Sequence, residues 1–252
     1  ADGKNIRQIS ANVEQDNTPW PLPDGRILYM RWEYVDRSQV DYHHLWTTNP
    51  DGTGQMVFFG NMHAGGVFID AKPIPGTSDV LLINSPGHGG REHAGSVAIV
   101  SDKNGPDARG SMRNITRGGY RDPYAISADT FIAARNRDLV MLNPQGQTQT
   151  LYSLDKTFGR GALLHEPRPL IERKRERLRP STVRPDMGTG QLMLMDVYNG
   201  RNMKGVKKGD IKKLLIVESL PKPVNFTGGM DPMSYGGTFT LERVLGSIPV
   251  EE

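Results

Sequence analysis

Short apolar runs closed by Gly, Pro, Asn and Asp recur through the first two thirds of the chain. Leu45-Trp46-Thr47-Thr48 leads into NPDGTGQ, Val97-Ala98-Ile99-Val100 into SDKNG, and Leu139-Val140-Met141-Leu142 into NPQGQ. Each reads as strand, tight turn, strand. The turns centre on Asp51-Gly52, Asn104-Gly105 and Gln145-Gly146, with a fourth at Asp2-Gly3, so they recur at intervals of roughly 40 to 53 residues. Asx-Gly supplies the positive φ that a two-residue hairpin turn needs, which predicts a β-hairpin at each position.

A second family of segments lies between these hairpins: PLPDGRILYMRW from Pro21, AKPIPGTSDVLLINS from Ala71, YAISADTFIAAR from Tyr124, and EPRPLI from Glu166. The first three place turn residues directly before an apolar run, and together the segments repeat in phase with the hairpins. Two interlocked periods of this length match one four-stranded propeller blade. The expected fold is therefore all-β: a partial β-propeller of about three to four blades over residues 1–165, with N-terminal blades missing. Ile6–Ser10 is expected to be an outer strand whose hairpin partner is absent, unless the C-terminal segment or another molecule supplies it. A basic linker over 166–185 follows, then a second, truncated β domain over 186–252 built from GQLMLMDVYNG, KKLLIVESL and GTFTLERVLGSIPV.

Composition narrows the function classes. Gly 29 and Pro 18 suit a turn-rich β protein. There is no cysteine, which removes disulfides, thiolate metal sites, cysteine nucleophiles and CxxCH haem attachment from this chain. No stretch of eighteen apolar residues is present, so no helical membrane span is expected. The net charge of +3 conceals a division, because residues 165–213 hold 13 Lys/Arg against 6 Asp/Glu. ERKRERLRP, 172–180, has too little apolar content for a core element and reads as a solvated linker or a short exposed helix. No aromatic residue is interleaved for base stacking, so nucleic acid is not an expected partner.

Signatures of common enzymes are missing: no P-loop, no HExxH, no GxGxxG after a strand, and Pro232 where a GxSxG elbow at Ser234 would need glycine. Two sets of candidate residues remain. One is the loop SPGHGGREHAG, where His88, Arg91, Glu92 and His93 sit among glycines that permit close approach. His88 and His93 could share a metal ion, or bind an anion with Arg91. The competing reading is a solvated connection. The other set is scattered: His63, Asp122, Tyr124, His165 and Glu166 fall at successive inner-strand starts, which in a propeller surround one mouth of the channel. Alternatively, Asp122 and Glu166 bond backbone amides at blade corners. His43-His44 precede Trp46, and alternation would turn one ring inward and one outward.

DGRILYMRWEY (24–34), LWTTNPDGTGQ (45–55), AKPIPG (71–76), GHGG (87–90), DPYAIS (122–127), EPRPLIERKR (166–175), DVYNGRNMKGVKKGDIKKL (196–214) and SYGGTFTLERVLGSIPVEE (234–252) resemble bacterial secreted proteins related to the hydrazine synthase alpha subunit, with TolB-type propeller repeats. The resemblance implies a periplasmic or extracellular scaffold that binds the remainder of its own polypeptide or a partner protein, without catalysis. It also implies an alternative, the cofactor-adjacent part of a haem c-dependent redox enzyme. Such proteins commonly continue into a CxxCH segment, so the haem would come from outside this chain.

Overall fold

The computed structural model of the chain describes residues 3–4, 6–12, 15–33, 40–60, 62–87, 93–200, 202–220 and 242–250. Among them the fold is nearly all β, in several sheets, none closed on itself. Two compact units are distinguished, residues 1–9 with 14–181 and residues 10–13 with 182–252.

The first unit contains three successive four-stranded antiparallel meanders. The first comprises β1 (Asp16–Pro21), β2 (Ile27–Trp32), β3 (His43–Thr48) and β4 (Met56–Phe59). The second comprises β5 (Val67–Pro73), β6 (Val80–Ser85), β7 (Ser96–Val100) and β8 (Met112–Asn114). It joins the first through one parallel register pair, His43 opposite Val67. The third comprises β9 (Arg121–Ala125), β10 (Phe131–Arg135), β11 (Asp138–Leu142) and β12 (Thr148–Ser153), in a sheet of its own.

The apolar runs are unbroken in the middle meander because both of its faces are covered. Leu81 and Ile83 of β6 and Val97 and Ile99 of β7 belong to one core with Phe131, Ala133, Val140 and Leu142 of the third meander. Their neighbours Val80, Leu82, Ala98 and Val100 face the opposite way, into a core with Leu28, Leu45, Phe58 and Phe59 of the first. Strands buried on both faces lose the polar-out half of the alternation.

The hairpin turns between the described strands form where the sequence predicts turns but by another geometry, while the predicted Asp2-Gly3 turn includes Asp2, outside the described residues. Leu22-Pro-Asp-Gly-Arg26, Asn49-Pro-Asp-Gly-Thr53 and Asn143-Pro-Gln-Gly-Gln147 close the same three-residue loop. In each, the glycine N–H donates to the carbonyl of the first residue, at 2.8, 2.9 and 2.9 Å, and only the glycine has positive φ, at 86°, 85° and 77°. That is a type I turn followed by a left-handed residue rather than a two-residue turn, which explains why Gln145 serves as well as Asp. The Asn104-Gly105 site is longer: Gly105 bonds the Asp102 carbonyl, and a short 3-10 turn over Arg109–Ser111 precedes β8.

Three other expectations fail. Ile6–Ser10 forms no strand; Ile9 instead offers its carbonyl to Gln55, and Arg7 donates to the Pro50 carbonyl. The 172–180 segment is neither helical nor merely solvated. It runs extended over the first unit, with the Arg177 amide donating to the Pro23 carbonyl and the Arg179 guanidinium to the Asp24 carbonyl. Leu192 to Met195 is irregular and exposed rather than a strand, and no strand among the described residues pairs with it. In the second unit, β13 (Lys213–Ser219) and β14 (Glu242–Pro249) make an antiparallel pair.

Candidate functional site

A break in register marks the first strand of every meander. The ladder slips between Asn17 and Trp20 in β1 and between Ile69 and Lys72 in β5, while the β10 partner register slips opposite Arg121 to Tyr124 in β9. At each slip one non-glycine residue turns left-handed: Thr18 at φ 48°, Asp70 at 55° and Asp122 at 48°. Glu166, at 47°, holds the same conformation one step further along the chain. The four begin matching quartets, TPWP, DAKP, DPYA and EPRP, roughly 44 to 52 residues apart. A left-handed L-residue costs roughly 1–2 kcal/mol, and a β-branched Thr is an outlier there. Bulges of this kind re-aim a side chain next to functional sites.

Here they bring side chains from different meanders together. The Thr18 hydroxyl accepts the Asp70 amide at 3.2 Å, and a carboxylate oxygen of Asp122 accepts the Glu166 amide at 3.0 Å. One carboxylate oxygen each from Asp70, Asp122 and Glu166 lie within 4.8 Å of one another. Two ionised carboxylates so placed repel by about 3.5 kcal/mol for an effective dielectric constant of about 20. Asp70 and Asp122 are both buried, and Asp70 Oδ2 has no hydrogen-bond partner among the described residues.

The residues two positions further on make an adjoining set. Trp20 meets Tyr124 edge-on at 6.1 Å between centroids. Lys72 Nζ lies 5.5 Å from the Trp20 centroid, and the Arg168 guanidinium sits 5.0 Å from that ring and 5.7 Å from Tyr124. Lys72 is buried, and its ammonium donates to the backbone carbonyl of Asp70, at 3.1 Å, rather than to the carboxylate. A cavity of about 510 Å³ opens beside Trp20, Tyr124 and Lys72, walled by Pro73 and by Ile171 and Arg175 of the basic segment.

Electrostatics follow from this burial. Desolvation pushes the Asp70 carboxyl up to about 6; the Lys72 ammonium pulls it back, while Asp122 and Glu166 push it further up. Desolvation also lowers the Lys72 ammonium, against the attraction of Asp70. An acid and a base shifted toward each other inside one cluster mark a candidate functional site.

The predicted residues divide accordingly. Asp122, His165 and Glu166 meet, with His165 Nδ1 3.4 Å from Asp122 Oδ2, and Tyr124 joins through Arg168. His63 stands apart, its Nε2 2.6 Å from the Asp107 carbonyl. His88 and Arg91 lie outside the described residues, as does Glu92. His93 is exposed, and its charge acts weakly on Asp70 in the lowering direction. Both His43 and His44 are buried, against the expected alternation: His43 stacks on Trp32 and His44 on Phe68, because β3 is covered on both faces. Thr18, Trp20, Asp70, Lys72 and Arg168 escaped the sequence reading. The aligned quartets carried the signal, displaced from the proline markers by the bulge.

The sequence matches no family profile, and none of the curated proteins matches it. Among solved structures, the hydrazine synthase of Kuenenia stuttgartiensis is similar with a TM-score of 0.48 and 22% identity, over 58% of this chain and 20% of that one. This chain thus spans a fifth of that protein's length.

Proposed function

We propose that residues 1–165 are consecutive blades of a β-propeller-type scaffold within a larger secreted protein, related to the hydrazine synthase alpha subunit group. Its role is to bind, without catalysis, through the face where the first strands of the blades begin. One observation supports this reading: three four-stranded meanders repeat in series, and each contributes a left-handed polar residue from the same bulge to a shared cluster. Side chains delivered to one point by several rigid repeats are how propeller scaffolds assemble a binding site from residues far apart in sequence. The partner in this reading is the remainder of the same polypeptide or a separate protein, met outside the cytoplasm.

The test is association in trans. This chain and the remaining segments of its parent polypeptide, expressed separately and mixed, should sediment as one complex. Trp20→Ala with Tyr124→Ala should weaken that complex while leaving the chain folded. If the two sediment independently at every concentration tried, the scaffold reading fails.

A further inference from the structure

We infer that Asp70, Asp122 and Glu166 form a binding site for a hard divalent cation of the Ca²⁺ class, with the three carboxylates as its protein ligands. The inference rests on the strand-start cluster of the preceding reading but not on the partner assigned there.

Two observations carry it. The first is the convergence itself: three carboxylates from three successive quartets place oxygens within 4.8 Å of one another, the spacing that one shared ion removes from repulsion. The second is an unsatisfied buried oxygen. Asp70 is only 7% exposed, yet its Oδ2 has no partner among the described residues. Buried carboxylate oxygens are almost always satisfied, so an orphan on a carboxylate that converges with two more points to a ligand that the protein itself does not supply.

The nearby cations do not fill this role. Lys72 spends its described hydrogen bond on the Asp70 carbonyl and rests against Trp20. Arg168 pairs with one oxygen of Glu166, whose side chain is half exposed. His165 lies beside Asp122, with its own side chain half exposed. None of the three reaches Asp70 Oδ2. The donor set is all oxygen, which selects Ca²⁺-like ions over Zn²⁺, with water completing the shell.

The purified chain, stripped with EDTA, provides the test. Tb³⁺ is the probe, excited through tryptophan, because Trp20 touches Lys72 and Lys72 touches Asp70. Saturable sensitised emission is expected, displaced by Ca²⁺ at concentrations where Zn²⁺ leaves it in place. Ca²⁺ alone should raise the melting temperature, since a ligand that binds only the folded state stabilises it. Asp70→Asn and Glu166→Gln should each weaken Ca²⁺ binding at least about tenfold, because affinity follows the number of ligand charges. Glu166→Gln alters a half-exposed side chain and keeps the test decisive if Asp70→Asn fails to fold. Trp20→Phe should lose the emission and keep the Ca²⁺-dependent rise in melting temperature. The inference is overturned if the native chain shows neither emission nor a Ca²⁺ shift, if Glu166→Gln binds as the native chain does, if Zn²⁺ displaces Tb³⁺ better than Ca²⁺, or if emission survives in Trp20→Phe. Association in trans is a separate readout, so failure of either reading is distinguishable from failure of the other.

Discussion

The middle meander and the β13–β14 pair are both antiparallel β structure, and they bury their apolar residues in opposite degree. In β6, Val80, Leu81, Leu82 and Ile83 are all at most 1% exposed. In the β13–β14 pair, Leu215 is 60% exposed, Val244 62% and Ile248 51%, although the register pairs seven residues of one strand with the other. Hydrogen-bonded ladders alone therefore do not make a stable sheet. A two-stranded pair is marginal by itself in water, whereas a meander packed on both faces gains roughly 1.5–3 kcal/mol for each large apolar side chain it buries. Backbone pairing sets the shape, and burial supplies the stability.

The sharpest way to break this comparison is at two left-handed glycines, Gly146 and Gly205. A Cβ on Gly146 would meet the Ile115 carbonyl oxygen at 1.8 Å, whereas a Cβ on Gly205 meets nothing within 4 Å. Gly146→Ala should cost more than about 3 kcal/mol, from a backbone clash added to the positive-φ penalty of roughly 1–2 kcal/mol. Gly205→Ala should show only that penalty. Equal losses in denaturant melts would mean that the β11–β12 turn does not pack against residue 115 as described.

Core truncation gives the next largest contrast. Leu82→Ala should destabilise by about 2–5 kcal/mol through lost burial and a cavity, while Leu215→Ala should stay within about 0.5 kcal/mol. A large loss at Leu215 would show that this face of the β13–β14 pair is covered in solution.

A smaller effect tests the bulges. Thr18→Val keeps the shape of the side chain but removes the oxygen that accepts the Asp70 amide, and should lower stability by about 1–2 kcal/mol. Thr18→Ser should retain the bond and restore most of that loss. If Val and Ser behave alike, the hydroxyl does not hold Asp70 in place.

The smallest expected change concerns pH. Burial opposes the charge on Asp24, but hydrogen bonds from the Arg26 amide and guanidinium, together with the charges of Arg26 and Arg179, outweigh it and hold the carboxyl below its ordinary value. A depressed acid contributes stability that is present above its unfolded pKa and lost as the pH falls through the folded one, here from about pH 4 downward. Asp24→Asn should therefore lower the melting temperature slightly at neutral pH and converge with the native chain in acid. A gap that widens on acidification would contradict the assignment.

Much of the architecture was legible in residue order. The Pro-x-Gly turns, the runs between them and the repeat length specify antiparallel hairpins, because a positive-φ glycine and a proline constrain the backbone locally whatever surrounds them. The candidate site was legible only in part. Asp122 stands at the start of β9, and His165 and Glu166 follow the same sequence pattern although no strand begins there; Asp70 lies inside the run VFIDAKP, where alternation gives it no special place. The bulge that turns it left-handed is a property of the paired strands, since a register slip exists only between two ladders. In the same way, 172–180 reads as a charged solvated block, and only the tertiary structure supplies the Pro23 and Asp24 carbonyls that hold it down. Sequence by itself determined where the chain turns in the three meanders and which apolar runs between those turns are strands, but not that Ile6–Ser10 and Leu192–Met195 stay irregular. The tertiary structure alone decided which strands are covered and which carboxylates meet, because burial and convergence depend on neighbours far along the chain.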